Sequence, residues 1–213
     1  MNYEDFMKVI RGRRSIRLHK SDPINDEIIS QVIEAGKWAP TGNNTQPFEI
    51  VVVKERPIIE RMEDIMGEGY DPKMTRHYGA PVMLIILGDP RFCDAYPKNG
   101  LIREEILHSS LSAVIENMLL ASTAVGLGGS LWKTASPYAA MKIKDLLGIP
   151  QLFILKALIP LGYPKEVVVS PPKRDIVVHE NRYDLAKLKS EEEIRESINE
   201  YSVVKHLDKI RAL

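Results

Sequence analysis

Residues 102–124, IREEILHSSLSAVIENMLLASTA, carry Leu, Ile, Ala and Met on most faces of a stretch of helix length. A helix without a continuous polar face has to be covered on several sides by its own domain, so this one predicts a central helix in a layered fold. Candidate covering pieces flank it. FEIVVV at 48–53, VMLIIL at 82–87 and LFILKALIPLG at 152–162 have strand length, and VMLIIL contains no polar residue, which predicts a strand buried on both faces. Helices interleaved irregularly with few strands give an α+β (mixed α/β layered) domain.

The remaining elements announce themselves by their ends. Asn2 is placed to cap a first short helix in which Phe6, Val9 and Ile10 share a face. Asn25 opens a second, with Ile24 and Ile29 set for a hydrophobic staple and Ile28, Ile29, Val32 and Ile33 forming an apolar stripe up to Gly36. PIIERMEDIM at 57–66 reads as a third, followed by the irregular segment GEGYDPKMTRHYGAP. Ser136 and Pro137 start a helix that Gly148 ends after Leu147, and Ser190 with Glu193 has capping-box spacing ahead of an amphipathic helix through Ile194, Ile198 and Leu207. There is no repeat, low-complexity tract or linker, so residues 1–213 are expected to form a single domain with a helical extension from about 190 to 213.

Charge excludes some partners. Lys plus Arg and Asp plus Glu each number 29, so no global field recruits nucleic acid or an anionic membrane, and any anion site has to be local. Cys93 is the only cysteine, which removes an intramolecular disulfide and suits a reducing, cytoplasmic setting. The amino terminus lacks the apolar core of a signal peptide, and no apolar run approaches the roughly 18 to 20 residues needed to span a bilayer. Asn43-Asn44-Thr45 matches a glycosylation sequon, which in such a setting is a chance match.

Chemistry-bearing residues concentrate in a few places. Arg13, Arg14 and Arg17 with Ser15 form the densest cationic cluster; guanidinium forks suit phosphate oxygens, while a solvated basic turn or a weak nucleic-acid patch fits the same residues. Lys173 and Arg174 make a second cationic pair in a Pro-rich stretch. In APTGNNTQPF, Pro40, Gly42 and Pro47 specify a loop, and Asn44 and Gln46 offer donors and acceptors beyond what a turn needs, although loop capping alone would also employ them. The five histidines show no HxxxH or HxH pairing, so no metal is expected, and neither a GxSxG elbow nor a cysteine signature supports nucleophilic hydrolysis. GLGGSL follows a helix and has Leu131 in place of a third glycine, so it is not a dinucleotide fingerprint. Glu104 with Glu105 and Glu63 with Asp64 point to different helix faces, as solvated charges do.

Taken in order, RRSIR at 13–17, WAPTGNNTQPFEIVVV at 38–53, APVMLIILGD at 80–89, AVGLGGSLW at 124–132, LGYP and PPKR at 161–174 and VVHENRYD at 177–184 resemble the nitroreductase family of FMN-dependent oxidoreductases. Thr41 and Phe48 stand where that family more often has Ser and Trp, and the stretch from PPKR to VVH is shorter. The resemblance implies a nitroreductase-like fold, a central and mostly antiparallel sheet flanked by helices. It implies a homodimer with FMN at its interface, the phosphate held by Arg13, Arg14, Ser15 and Arg17 and by the late pair Lys173 and Arg174. Asn44 and Gln46 would reach the flavin and its ribityl chain, and Gly128 and Gly129 would let the backbone pass close to the isoalloxazine ring. The activity implied passes hydride from NADH or NADPH through flavin N5 to a small aromatic, nitroaromatic or quinone-like acceptor, with no obligatory side-chain acid. The acceptor pocket would be shaped by the 67–79 segment and by residues near Tyr96 and Leu131. The alternatives are reductive dehalogenation or flavin breakdown on the same scaffold, and a non-catalytic flavin-binding or nucleic-acid-binding module.

Overall fold

The computed structural model of the chain describes residues 2–68, 79–94, 102–128, 135–170 and 172–201, which fall into two units, 1–166 and 167–213. The first unit is built on a three-stranded antiparallel sheet: β1 (Phe48–Val53), β2 (Val82–Gly88) and β3 (Ile154–Leu161), in that spatial order. Phe48 pairs with Gly88 and Val53 with Met83 on one side of β2, and Val82 pairs with Leu161 on the other. Every residue of β2 is buried, as its unbroken apolar run requires.

Side chains that alternate along β2 enter two separate cores. Val82, Leu84 and Ile86 meet Val32 of α2 (Asp26–Lys37) and Leu111, Val114 and Met118 of α4 (Arg103–Ala124). Met83, Ile85 and Leu87 meet Ile59 and Met62 of α3 (Arg56–Gly67) and Ile143 of α5 (Pro137–Leu147). Helices thus cover both faces of the sheet, giving an α+β sandwich with α4 next to β2, β3 and α2. The phase of β3 changes midway: Leu155 and Ala157 would share a face in a regular strand, yet Leu155 belongs to the second core and Ala157 to the first. The register shift opposite Ile86 and Leu87 leaves Lys156 as the extra residue of a β-bulge, which accounts for the reversal.

The helix ends carry the capping chemistry their sequence predicts. Asn2 and Asp5 form a reciprocal capping box on α1 (Tyr3–Gly12), Asn25 caps α2, and the Ser136 hydroxyl accepts from Ala139 N. Gly148 closes α5 with φ +66°, the left-handed conformation that a side chain disfavours. The face shared by Phe6 and Ile10 on α1 is not turned into the core: both stay exposed, as does Tyr3. In the second unit Ser190 and Glu193 bond reciprocally ahead of α6 (Glu191–Tyr201), and none of its described residues is buried. The expected continuation of that helix to Leu207 lies outside the described residues. No helix among the described residues is long and apolar enough to cross a membrane.

Candidate functional site

The arginine segment leaves α1 as irregular chain, turned so that Ile16 N donates to Arg14 O at 3.1 Å. Arg14 turns back, its Nη1 donating to the carbonyls of Arg11 and Arg13, so this guanidinium fastens the end of α1. Ile16 is buried, and an added Cβ at Gly128 would fall 2.8 Å from its Cγ2. Gly128 therefore admits the arginine segment, and no side chain fits between them. Beyond Ile16, the backbone amides of Arg17 and Leu18 both donate to Glu166 Oε1, which leaves the Arg17 side chain exposed with its Nη1 on Ser15 O at 3.1 Å. Arg13 is half-buried beside Glu116, 3.8 Å away. The half-buried Ser15 hydroxyl makes no hydrogen bond among the described residues. Two guanidinium groups and an unengaged hydroxyl on a clamped backbone match the donor set of a phosphate dianion.

The second part of the site is the loop between α2 and β1. A single 3-10 turn, Gly42–Asn44, follows Thr41, and Asn43, Asn44 and Gln46 have φ of 52°, 55° and 49°. Asn tolerates this left-handed region, but Gln rarely adopts it, and such conformations persist only where surrounding bonds impose them. Here Thr45 Oγ1 donates to Gly42 O at 2.9 Å and Gln46 N to Thr41 Oγ1 at 3.1 Å. Gly42 N donates at 3.2 Å to the Ser110 hydroxyl, itself bound to Ile106 O, and so ties the loop to α4. The exposed side-chain amides of Asn43 and Asn44 make no hydrogen bond among the described residues, and Gln46 Nε2 reaches only Asn44 O at 3.3 Å. The loop holds its own shape through backbone, threonine and serine groups and leaves its amides outward.

Helix α4 relates the two parts, touching the arginine segment at Glu116 and the loop at Ser110. At 1.5 Å per residue these attachment points are about 9 Å apart along the helix axis. Gly128 joins the arginine segment through Ile16, while Gly129, Tyr96, Leu131 and most of the 67–79 segment lie outside the described residues. Lys173 and Arg174 are exposed residues of the second unit. Among the described residues no group of His, Cys, Asp and Glu is arranged to hold a metal.

Two residues that sequence reasoning did not single out belong to this region. Glu166 pins the arginine backbone, and buried His19 sits beneath it with burial pushing its imidazole below the usual 6.5, against smaller opposing effects of Gly128 O and Glu166. Neither could be read from periodicity: Ile16 and His19 are buried three positions apart, the spacing of a helix face, in a segment that is not helical, and Glu166 follows β3 in irregular chain.

Comparison with known proteins is consistent with this arrangement. A protein of Archaeoglobus fulgidus, provisionally named an NADH dehydrogenase/NAD(P)H nitroreductase, is 32% identical over 165 residues, covering 76% of this chain and 87% of its own. Iodotyrosine deiodinase 1 of Rattus norvegicus is 30% identical over 193 residues, covering 80% of this chain and 66% of that protein. A provisionally named nitroreductase of Desulfovibrio desulfuricans, solved in complex with FMN, superposes with a TM-score of 0.68 at 26% identity, covering 86% of this chain and 99% of its own. The Nitroreductase family model matches residues 10–77 and 71–163, a span that takes in the arginine segment, the amide loop and all three strands, and the chain belongs to the nitroreductase family.

Proposed function

We propose that the chain is an FMN-dependent oxidoreductase that takes reducing equivalents from NADH or NADPH and delivers them to a small planar acceptor, working as a cytoplasmic homodimer. The observation that carries this reading is the unengaged Ser15 hydroxyl between Arg13 and Arg17 on a backbone fixed by Ile16 and Glu166. Bound there, FMN would supply two-electron chemistry for which the described side chains offer no substitute. Arg13, Ser15 and Arg17 hold the phosphate, with Lys173 and Arg174 as a second cationic pair. Arg14 supports them by fixing the end of α1. Asn44 and Gln46 offer their amides to the ribityl chain and the ring edge, and the Gly128–Gly129 backbone approaches the ring. Flat acceptors suit such a site because planar rings stack on one another in offset arrangements. The residues from 1 to 213 act as one FMN-binding domain, and the dimer is supported by the exposed apolar residues of α1 and of the second unit.

The visible spectrum tests this directly. The purified protein is expected to be yellow, or to become so on adding FMN, and to bleach when NADH or NADPH is added without oxygen. Colour that never bleaches leaves a flavin binder, and a protein that takes up no FMN removes the reading altogether. The similarity to iodotyrosine deiodinase 1 favours a second reading, reductive dehalogenation at the same site. Release of iodide from iodotyrosine by the reduced protein, faster than turnover of quinones or nitroaromatics, would select it.

A further inference from the structure

His19 is 3% exposed and forms an antiparallel bridge with Pro164, closed by Lys20 N donating to Tyr163 O at 2.8 Å and Lys165 N to Leu18 O at 2.9 Å. Its ring lies on Gly162, where an added Cβ would stand 3.0 Å from ring atoms Cγ and Cδ2. Ring Nε2 is 3.2 Å from the carbonyl oxygen of Gly128, and Gly128 N donates to Gly162 O at 2.7 Å. A carbonyl only accepts, so Nε2 carries the proton and Nδ1 the bare lone pair. Nδ1 is buried and has no hydrogen-bond partner among the described residues. One imidazole thereby links the arginine segment, the Gly128 turn and the chain leaving β3.

Resting on the flavin-site reading above, we propose that His19 is a positioning residue: as a neutral imidazole it keeps the Arg13–Arg17 segment and the Gly128 turn in one register, and protonation of Nδ1 undoes that register. An imidazolium here would carry a charge and a second N–H into an interior where buried Nδ1 faces no acceptor among the described residues. The charged groups on the linked segments are Arg13, Arg14, Arg17 and Lys20 on the chain that carries the ring and Lys165 and Glu166 after β3; the 126–128 turn brings none, nor does Gly79, which lies against the His19 carbonyl. Of these Glu166 attracts the imidazolium, and burial outweighs it, so the ring is harder to protonate than an exposed histidine. With the folded value below the ordinary 6.5, the stability this contact contributes is complete above 6.5 and is lost as pH falls through the lower folded value.

Quenching of FMN fluorescence, titrated with apoprotein from about pH 8 to pH 5, tests the proposal in wild type, His19→Gln and His19→Phe. The glutamine keeps a donor near the position of Nε2 and does not titrate, whereas the phenylalanine fills the volume without a donor. His19→Phe is expected to bind FMN about tenfold more weakly at pH 8, the effect of leaving one buried carbonyl unpaired. His19→Gln is expected to bind as wild type at pH 8 and to lose less affinity than wild type in acid. The second ionisation of the FMN phosphate is common to all three proteins and cancels in the comparison. Melting of the apoproteins gives a readout without flavin: wild type should lose more thermal stability than His19→Gln between the same pH limits. A folded His19→Gln that keeps the full acid loss of wild type, or a His19→Phe that binds as wild type at pH 8, overturns the proposal while leaving the site reading intact. A wild type that binds no FMN at pH 8 overturns the site reading and this proposal together.

Discussion

Arg14 and Arg17 stand three positions apart in one basic run, yet the chain employs them differently. Arg14 caps the carbonyls that end α1, and Arg17 extends from a backbone whose own amide is already taken by Glu166. Arg17→Ala is expected to weaken FMN binding ten- to a hundredfold, the loss of about 1.5–3 kcal/mol from a charged contact, with no change in melting temperature. Arg14→Ala should show the reverse: lower thermal stability, and FMN affinity reduced much less. Fluorescence titration beside a thermal melt separates the two, and equal effects of both substitutions on FMN would remove the distinction. The arginine cluster itself was legible from composition, since three guanidinium groups in five positions are rare. Which arginine points outward was not, because that depends on where α1 stops and on Glu166, a residue 149 positions away from Arg17.

At the level of elements, the sequence marks ends better than irregularities. Asn2, Asn25, Ser136 and Gly148 each occupy the cap their side chain or backbone favours, because capping depends on four or five neighbouring residues. The bulge at Lys156 left no trace in LFILKALIPLG, since it is imposed by pairing with β2 rather than by local preference. The contact of α2 with α4 gives a prediction of its own. A Cβ at Gly36 would fall 2.8 Å from Met118 Cγ and 3.3 Å from Val114 Cγ1, and Met118 is fully buried. Alanine gains about 1 kcal/mol in helix propensity, but overpacking typically takes 1–3 kcal/mol, so Gly36→Ala should lower stability by about 1 kcal/mol in urea unfolding. A second prediction concerns the end of β2. Asp89 is 1% exposed, and its carboxylate accepts from Arg91 N at 3.0 Å and from the Arg91 guanidinium, which holds it below the ordinary 3.8. A depressed carboxyl stabilises fully above its unfolded value and loses that contribution as pH falls through its lower folded value. The stability advantage of wild type over Asp89→Asn, read from urea midpoints, should therefore shrink between about pH 5 and pH 3.

For the whole molecule, the two units place opposite demands on solvent. The first holds both cores, whose described residues all lie before Glu166. The second exposes Val167, Ile176, Val178, Leu185 and Leu188 at 63–96%, and none of its described residues is buried. So many aliphatic side chains in water are stable only against another surface, and a chain with equal numbers of positive and negative groups has little net repulsion to keep copies apart. In the proposed dimer a second copy of the chain would meet that need, and residues 3, 6 and 10 of α1 would add an apolar stripe of their own. Composition did not reveal this division, because an aliphatic residue buried by its own domain and one reserved for a partner have the same hydropathy; the single domain expected from length has to be tested against it. Truncation after Glu166 separates the possibilities. If the second unit joins the copies and contributes Lys173 and Arg174 to the phosphate, the truncated protein should still unfold cooperatively, sediment as a monomer, and bind FMN at least tenfold more weakly, the worth of one charged contact. A truncated protein that remains dimeric and holds FMN as the full chain does would place both the interface and the phosphate site wholly within residues 1–166.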